Sequence, residues 1–149
     1  MAKAEQPTGS QLHLEKILAV PQERVFAAFV DAEQLRRWWG PAGFSVQSLR
    51  FDAVEGTEYR IGMQPPNGDV FHISGTFRAV EPPRRLVYTF NYEEPDPDDQ
   101  ETLVALRFEP TDGGTRVILD QGPFKTAARL DLHRDGWTET LERFERSLV

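Results

Sequence analysis

Proton transfer and metal binding are the chemistries that the titratable side chains of this chain could support, and its three histidines come first. His13, His72 and His133 are far apart in sequence, and no pair has a zinc spacing such as HExxH. His13 and His72 alternate with apolar residues as strand positions do, and His13 is expected at a solvent-facing edge. His72 shares a face with Ser74 and Thr76, opposite Phe71 and Ile73. On a concave face it would be aimed at a ligand; on a convex one it would be hydrated. His133 lies on an apolar helical stripe, which suits either a structural imidazole bonded to a backbone carbonyl or a ligand-contacting, acid–base group.

The carboxylates add no paired acid and base. Glu55, Glu58 and Asp120 could act as a base only if they faced a cavity, and Glu58 alternates away from Tyr59 toward solvent. Asp96, Asp98 and Asp99 lack the glycine and the spaced final Glu of an EF-hand, so a solvated hairpin tip is expected there. No nucleophile elbow supports Ser-His-Asp catalysis. With no cysteine, disulfides, thiolate catalysis and Cys-based metal sites are all excluded. The residues therefore point to no catalytic set, metal or cofactor, and to a binder rather than an enzyme.

Charge narrows the partners. A formal net charge of −7 opposes nucleic acid and anionic lipid, and the basic clusters Arg36-Arg37 and Arg84-Arg85 are too small to reverse it. No run of 18 apolar residues offers a spanning helix, and the first residues lack the apolar core of a secretory signal. A cytoplasmic location is expected. Monomer and homodimer both remain open.

These side chains must be positioned by a regular order of elements. Residues 1–10 read as a disordered tail and 11–149 as one domain, the length prior for 149 residues favouring one. Leu12 to Val20 reads as an edge strand. Pro21 is expected to open a short helix with Val25, Phe26 and Phe29 on its apolar face. Asp31 caps a second, with Gln34 completing a capping box, Leu35, Trp38 and Trp39 apolar, and Gly40-Pro41 as its stop. Six strands follow: Phe44–Phe51 with a bulge where the apolar phase shifts, 56–63, Val70–Val80, Leu86–Tyr92, Thr102–Phe108 and Thr115–Leu119. The last element, 124–148, carries Leu130, Trp137, Leu141, Phe144 and Leu148 as one stripe on a helix. Gly136 inside it implies a close approach to a strand or ligand.

Strands joined by short turns form an antiparallel meander, and one long amphipathic helix can cover only one of its faces. The fold class is α+β: a curved six- to seven-stranded sheet wrapped round the C-terminal helix, with two short helices after the first strand. A curled sheet gripping a helix leaves space between them. Trp38 and Trp39 are candidates for its mouth, and Phe44, His72, His133 and Trp137 for its wall. Tyr59, Ile61 and Met63 point one way, as do Leu86, Tyr88 and Phe90, so one triplet is expected to line the space. Tyr59 or Tyr88 would supply an orienting hydroxyl.

Four strings in this order, VPQERVFAAFVDAEQLRRWWGP at 20–41, SGTFRAVEPPRRLVYTF at 74–90, GGTRVIL at 113–119 and HRDGW at 133–137, resemble a known family. The chain is similar to the SRPBCC (START-like) helix-grip superfamily, and within it to single-domain homologues of the C-terminal domain of the activator of heat-shock protein 90 ATPase (Aha-like). The resemblance covers residues 12–148. It implies a cavity between sheet and helix, with the helix-two tryptophans near its mouth, and no fixed catalytic constellation. The co-chaperone itself carries a separate N-terminal domain, which is not expected in the roughly ten residues before the first strand. Three functions follow as expectations: a carrier of a small apolar, aromatic or lipid-like molecule, a cyclase- or hydratase-like enzyme using a cavity His or Tyr, and a co-chaperone-like interaction domain.

Overall fold

The computed structural model of the chain describes residues 10–148, so the expected tail lies, except for Ser10, outside the described residues. The elements are β1 (Leu12–Leu18), α1 (Gln22–Val30), α2 (Ala32–Trp38), β2 (Ser45–Arg50), β3 (Glu58–Gln64), β4 (Phe71–Glu81), β5 (Arg85–Tyr92), β6 (Thr102–Thr111), β7 (Gly114–Gly122) and α3 (Ala127–Ser147). This is the expected order.

Helix ends differ from the sequence reading in detail. Pro21 takes the N-cap position with φ −59° and ψ 148°, one residue earlier than expected, and its fixed φ feeds the chain into α1. Asp31 ends α1 and caps α2. Its carboxylate accepts from the Glu33 N–H at 2.9 Å and from Gln34 Nε2 at 3.1 Å. The Asp31 N–H is already bonded to the Ala27 carbonyl, so Gln34 bonds the capping carboxylate instead of closing a reciprocal box. α3 starts three residues later than expected. Thr126 Oγ1 accepts from the Arg129 N–H at 3.1 Å, an N-cap that satisfies one orphan donor. The residues before it form a loop that turns Phe124 against His133, ring centroids 4.9 Å apart.

The seven strands form one antiparallel sheet in the order β1-β7-β6-β5-β4-β3-β2. Each strand from β2 to β7 pairs with its neighbours in sequence, and β1 closes onto β7, Leu12 opposite Gln121. β6 and β7 meet across Asp112-Gly113, where Gly113 takes φ +84°, a left-handed conformation that glycine adopts without steric cost. The register shifts between Val46 and Ser48, the bulge expected from the phase change, and again between Phe77 and Ala79.

β1 and β2 are the two edges, and the asymmetry between them makes room for a site. The backbone of α3 packs closely against β1 and α2, while α1 lies on β6 and β7. Lys16 on β1 pairs with Glu145 on α3 at 3.0 Å. Under α1 and the C-terminal half of α3 the core is solid: Phe29 contacts Trp38, Phe108 and Phe144 at 4.7, 5.2 and 4.8 Å between centroids. Trp38 is 1% exposed, and its indole N–H donates to the Ala28 carbonyl at 3.3 Å. Over β3, β4 and β5 the helix stands off. Among the described residues no helix is long and apolar enough to cross a membrane.

Candidate functional site

The stand-off between α3 and β3–β5 encloses a cavity of about 570 Å³, within the 300–1,000 Å³ usual for small-molecule sites. Met63 of β3, Phe71 and Ile73 of β4, and Phe90 and Tyr92 of β5 form its sheet wall. These are the concave-face positions, which alternation along each strand turns toward the helix. Trp39, Pro41 and Phe44, following α2, make the second wall. His133, Gly136, Trp137 and Thr140 line the helix side one turn at a time.

Two buried polar contacts hold this wall in place. The Tyr92 hydroxyl and His133 Nε2 are hydrogen-bonded at 3.1 Å. His133 sits among Phe90, Phe124 and Tyr92, with the Phe90 ring edge-on at 5.6 Å. Burial in this apolar nest pulls its pKa from 6.5 down to about 4, with Asp99 opposing the shift and Arg129 adding to it. The imidazole is therefore neutral at physiological pH, and Nε2 can accept from the phenol. Burial likewise pushes the Tyr92 phenol well above its ordinary range. In the second contact the Trp137 indole N–H donates to Gln121 Oε1 at 2.7 Å, and Gln121 Nε2 donates to Thr102 Oγ1 at 2.9 Å. Gln121 is fully buried. The fixed Trp137 ring then meets Trp39 edge to face at 5.2 Å.

Charge collects at the mouth. The β5–β6 loop, expected as a solvated tip, is exposed from Glu93 to Asp98 and is in addition strapped to the start of α3. Arg129 Nη2 pairs with Asp96 at 2.7 Å and Arg129 Nε with Asp99 at 3.4 Å, and the Asp99 side chain is only 9% exposed. Lys125 Nζ donates to the Pro97 carbonyl at 2.7 Å and Gln100 Nε2 to the Pro123 carbonyl at 2.8 Å. Glu139 accepts from the Ala42 N–H at 3.1 Å, tying α3 to the loop after α2. Arg143 Nη1 donates to the Gly40 and Pro41 carbonyls at 2.8 and 2.9 Å.

Of the residues singled out in the sequence, the structure brings Trp39, Phe44, Met63, Phe90, His133 and Trp137 to the cavity. It does not bring Trp38, Tyr59, Ile61, Tyr88 or His72 there. The two adjacent tryptophans are divided, Trp38 into the solid core and Trp39 to the wall. Neither strand triplet lines the space as a unit. Each is split along its length, Met63 and Phe90 reaching the cavity while Tyr59, Ile61 and Tyr88 sit farther along the sheet, where Phe51 and Phe77 fill the hollow. There Tyr59 lies 5.2 Å from Tyr88, and its hydroxyl donates to the Thr89 carbonyl at 2.7 Å. The orienting phenol is Tyr92 instead. His72 is on the convex face with Nδ1 3.3 Å from Glu94. With Glu93 and Glu94 it makes the one group spaced to hold a metal ion among the described residues. Glu93, however, is held by Arg60 through two bonds of 2.9 Å.

His133 has a side chain, not a backbone carbonyl, as its partner. Gly136 approaches Pro41 and the cavity rather than a strand; a Cβ there would meet Pro41 Cγ at 3.6 Å, an ordinary contact. His13 is on the outer face, bonded to Asp120 and Glu15 at 2.6 and 3.0 Å; these hydrogen bonds raise its pKa. Asp120 is therefore outside, and Glu55 accepts from the Val80 N–H at 3.1 Å, also away from the cavity. Sequence reading passed over Tyr92, Phe71, Ile73, Arg129 and Gln121. Tyr92 continues the Leu86, Tyr88, Phe90 alternation and Arg129 precedes His133 by one helical turn, so both carried a signal; Gln121 carried none.

Comparison with known proteins agrees with this architecture. The family model described as activator of Hsp90 ATPase homolog 1-like protein matches residues 19–148. The crystal structure of the AHSA1 protein of Silicibacter pomeroyi is similar at 30% identity and a TM-score of 0.83, covering 93% of this chain and 96% of that one. A Nitrosomonas europaea protein is 29% identical, with a TM-score of 0.81 and 96% of each chain covered. A Chromobacterium violaceum protein, at 23% identity, shares the fold with a TM-score of 0.85 over 92% of this chain and 95% of that one. Comparison with curated proteins found no match.

Proposed function

We propose, from the premise that the chain belongs to the activator of Hsp90 ATPase homolog 1-like family, that it binds or carries a small apolar or aromatic molecule between sheet and α3. The observation that carries this reading is the aromatic-lined space of about 570 Å³ beside the filled core around Phe29, Trp38, Phe108 and Phe144. Burial of roughly 200 Å² of ligand surface would contribute about 5 kcal/mol before association costs. The Tyr92–His133 pair gives such a ligand one hydrogen-bonding handle in an otherwise apolar wall.

The test is native mass spectrometry of the protein after incubation with mixed lipids and aromatic compounds. Retained adducts that disappear in a cavity-filling Ile73→Trp variant are expected. No adduct under any condition would sink the reading.

A second reading rests on the neutral imidazole bonded to a phenol at the wall, a pair able to relay a proton in a hydration or cyclisation. A product differing from its ligand by one water, formed by the native chain and not by His133→Gln, is its signature. Unchanged masses and unchanged chromatographic retention throughout would remove it. The family description also raises a chaperone partner, tested by whether the protein stimulates the ATPase of a bacterial chaperone of the Hsp90 class.

A further inference from the structure

The cavity has an apolar interior and a mouth with an excess of negative charge. Five carboxylates stand among its lining residues, Glu94, Asp96, Asp99, Asp135 and Glu139, against the single guanidinium of Arg129. That guanidinium is already shared by Asp96 and Asp99. Behind the mouth, Arg143 is turned onto the Gly40, Pro41 and Phe44 carbonyls. His72, next to Glu94, lies on the outer side of the sheet. His133 is uncharged. Glu139 and Glu94 are engaged only by backbone N–H groups and by the neighbouring His72, and Asp135, exposed on α3 one turn before Glu139, has no hydrogen bond or ion pair among the described residues.

From this we infer that the ligand is a cationic amphiphile, an apolar or aromatic body with an ammonium-type head held at the Asp135–Glu139 side of the mouth. The inference rests on the cavity being a ligand site, and it assigns the ligand's charge. Among the described residues of the lining, a carboxylate or phosphate head would meet no free cation and several like charges, whereas an ammonium would meet carboxylates close to a low-dielectric wall, where attraction is stronger than in bulk water. Trp39 and Trp137, buried in the wall of the same cavity, add aromatic rings that favour cations.

Calorimetric titration with matched probes tests it: decylamine, decanol and decanoate, and 2-(1-naphthyl)ethylamine, 2-(1-naphthyl)ethanol and 1-naphthaleneacetate, all near neutral pH. In at least one series the amine is expected to bind about tenfold tighter than the alcohol, and the alcohol tighter than the acid. Raising salt to roughly 0.5 M should shrink the gaps. In a double variant, Asp135→Asn with Glu139→Gln, the three affinities should draw together, the amine weakening and the acid strengthening. An alcohol that binds, with its amine no tighter or its acid tighter, overturns the charge assignment and leaves the cavity reading intact. Failure of all six probes overturns the cavity reading and this inference with it.

Discussion

The two ends of the space under α3 are made of the same residue types and behave differently. At the end capped by α1, Phe29, Trp38, Phe108 and Phe144 fill one another's contacts and leave nothing open. At the other end Trp39, Trp137, Phe90 and Phe71 stand around a void. The solid end carries one indole N–H bonded to backbone. The hollow end carries side-chain networks, Tyr92–His133 and Trp137–Gln121–Thr102, that hold rings apart rather than together. Aromatic content is therefore a poor guide to a cavity. What distinguishes the hollow end is that two rings of α3, His133 and Trp137, are anchored by polar atoms to β5 and β7, which holds them off the remaining rings.

The contrast can be broken by stability measurements. Phe144→Ala removes a fully buried ring from the solid end and should cost about 3–5 kcal/mol in urea unfolding, while Phe71→Ala, half-buried at the void, should cost less than half as much. Equal costs would erase the distinction.

Acid should act through the hollow end. His133 binds a proton less readily folded than unfolded, because its pKa is depressed from 6.5 to about 4. Its contribution is thus intact above about pH 6.5 and is lost as pH falls toward 4, by up to about 3 kcal/mol. His133→Gln should flatten that part of the stability–pH curve, and an unchanged slope would place the acid sensitivity elsewhere.

Gln121→Leu leaves the Trp137 N–H without its acceptor and should cost about 1–3 kcal/mol. Trp137 fluorescence should shift with it if the network holds the ring in place. The smallest effect is a gain. Gly136→Ala keeps an ordinary contact with Pro41 and should raise stability by up to about 1 kcal/mol through helix propensity, whereas Gly136→Leu should block the mouth and weaken probe binding. A loss of stability in the alanine variant would mean that the mouth is tighter than the geometry shows.

Much of the fold was legible before any coordinates, and in particular places. The alternation of Tyr59, Ile61 and Met63, the Asp112-Gly113 turn and the Leu130–Leu148 stripe are local signals, set by periods of two and 3.6 residues and by turn stereochemistry. The phase change at Val46–Leu49 gave away a bulge for the same reason. The site was legible only in part. Periodicity sorts the residues of a strand onto two faces, but says neither which face is concave nor how far along it the helix stands off, so Met63 could not be told from Tyr59, nor Phe90 from Tyr88.

The order of elements, the helix stripe and the two-residue alternation of each strand thus belong to the sequence, because each follows from neighbours within a few residues. Where the core is filled and where it is empty was decided only in three dimensions. Trp38 and Trp39 are adjacent and chemically identical, yet one packs on Phe29 and Phe144 while the other faces the void, since α3 leans on β1 and stands away from β3–β5. Arg129 and the Asp96–Asp99 loop, some thirty residues apart, likewise meet only through the packing of the whole sheet against that helix.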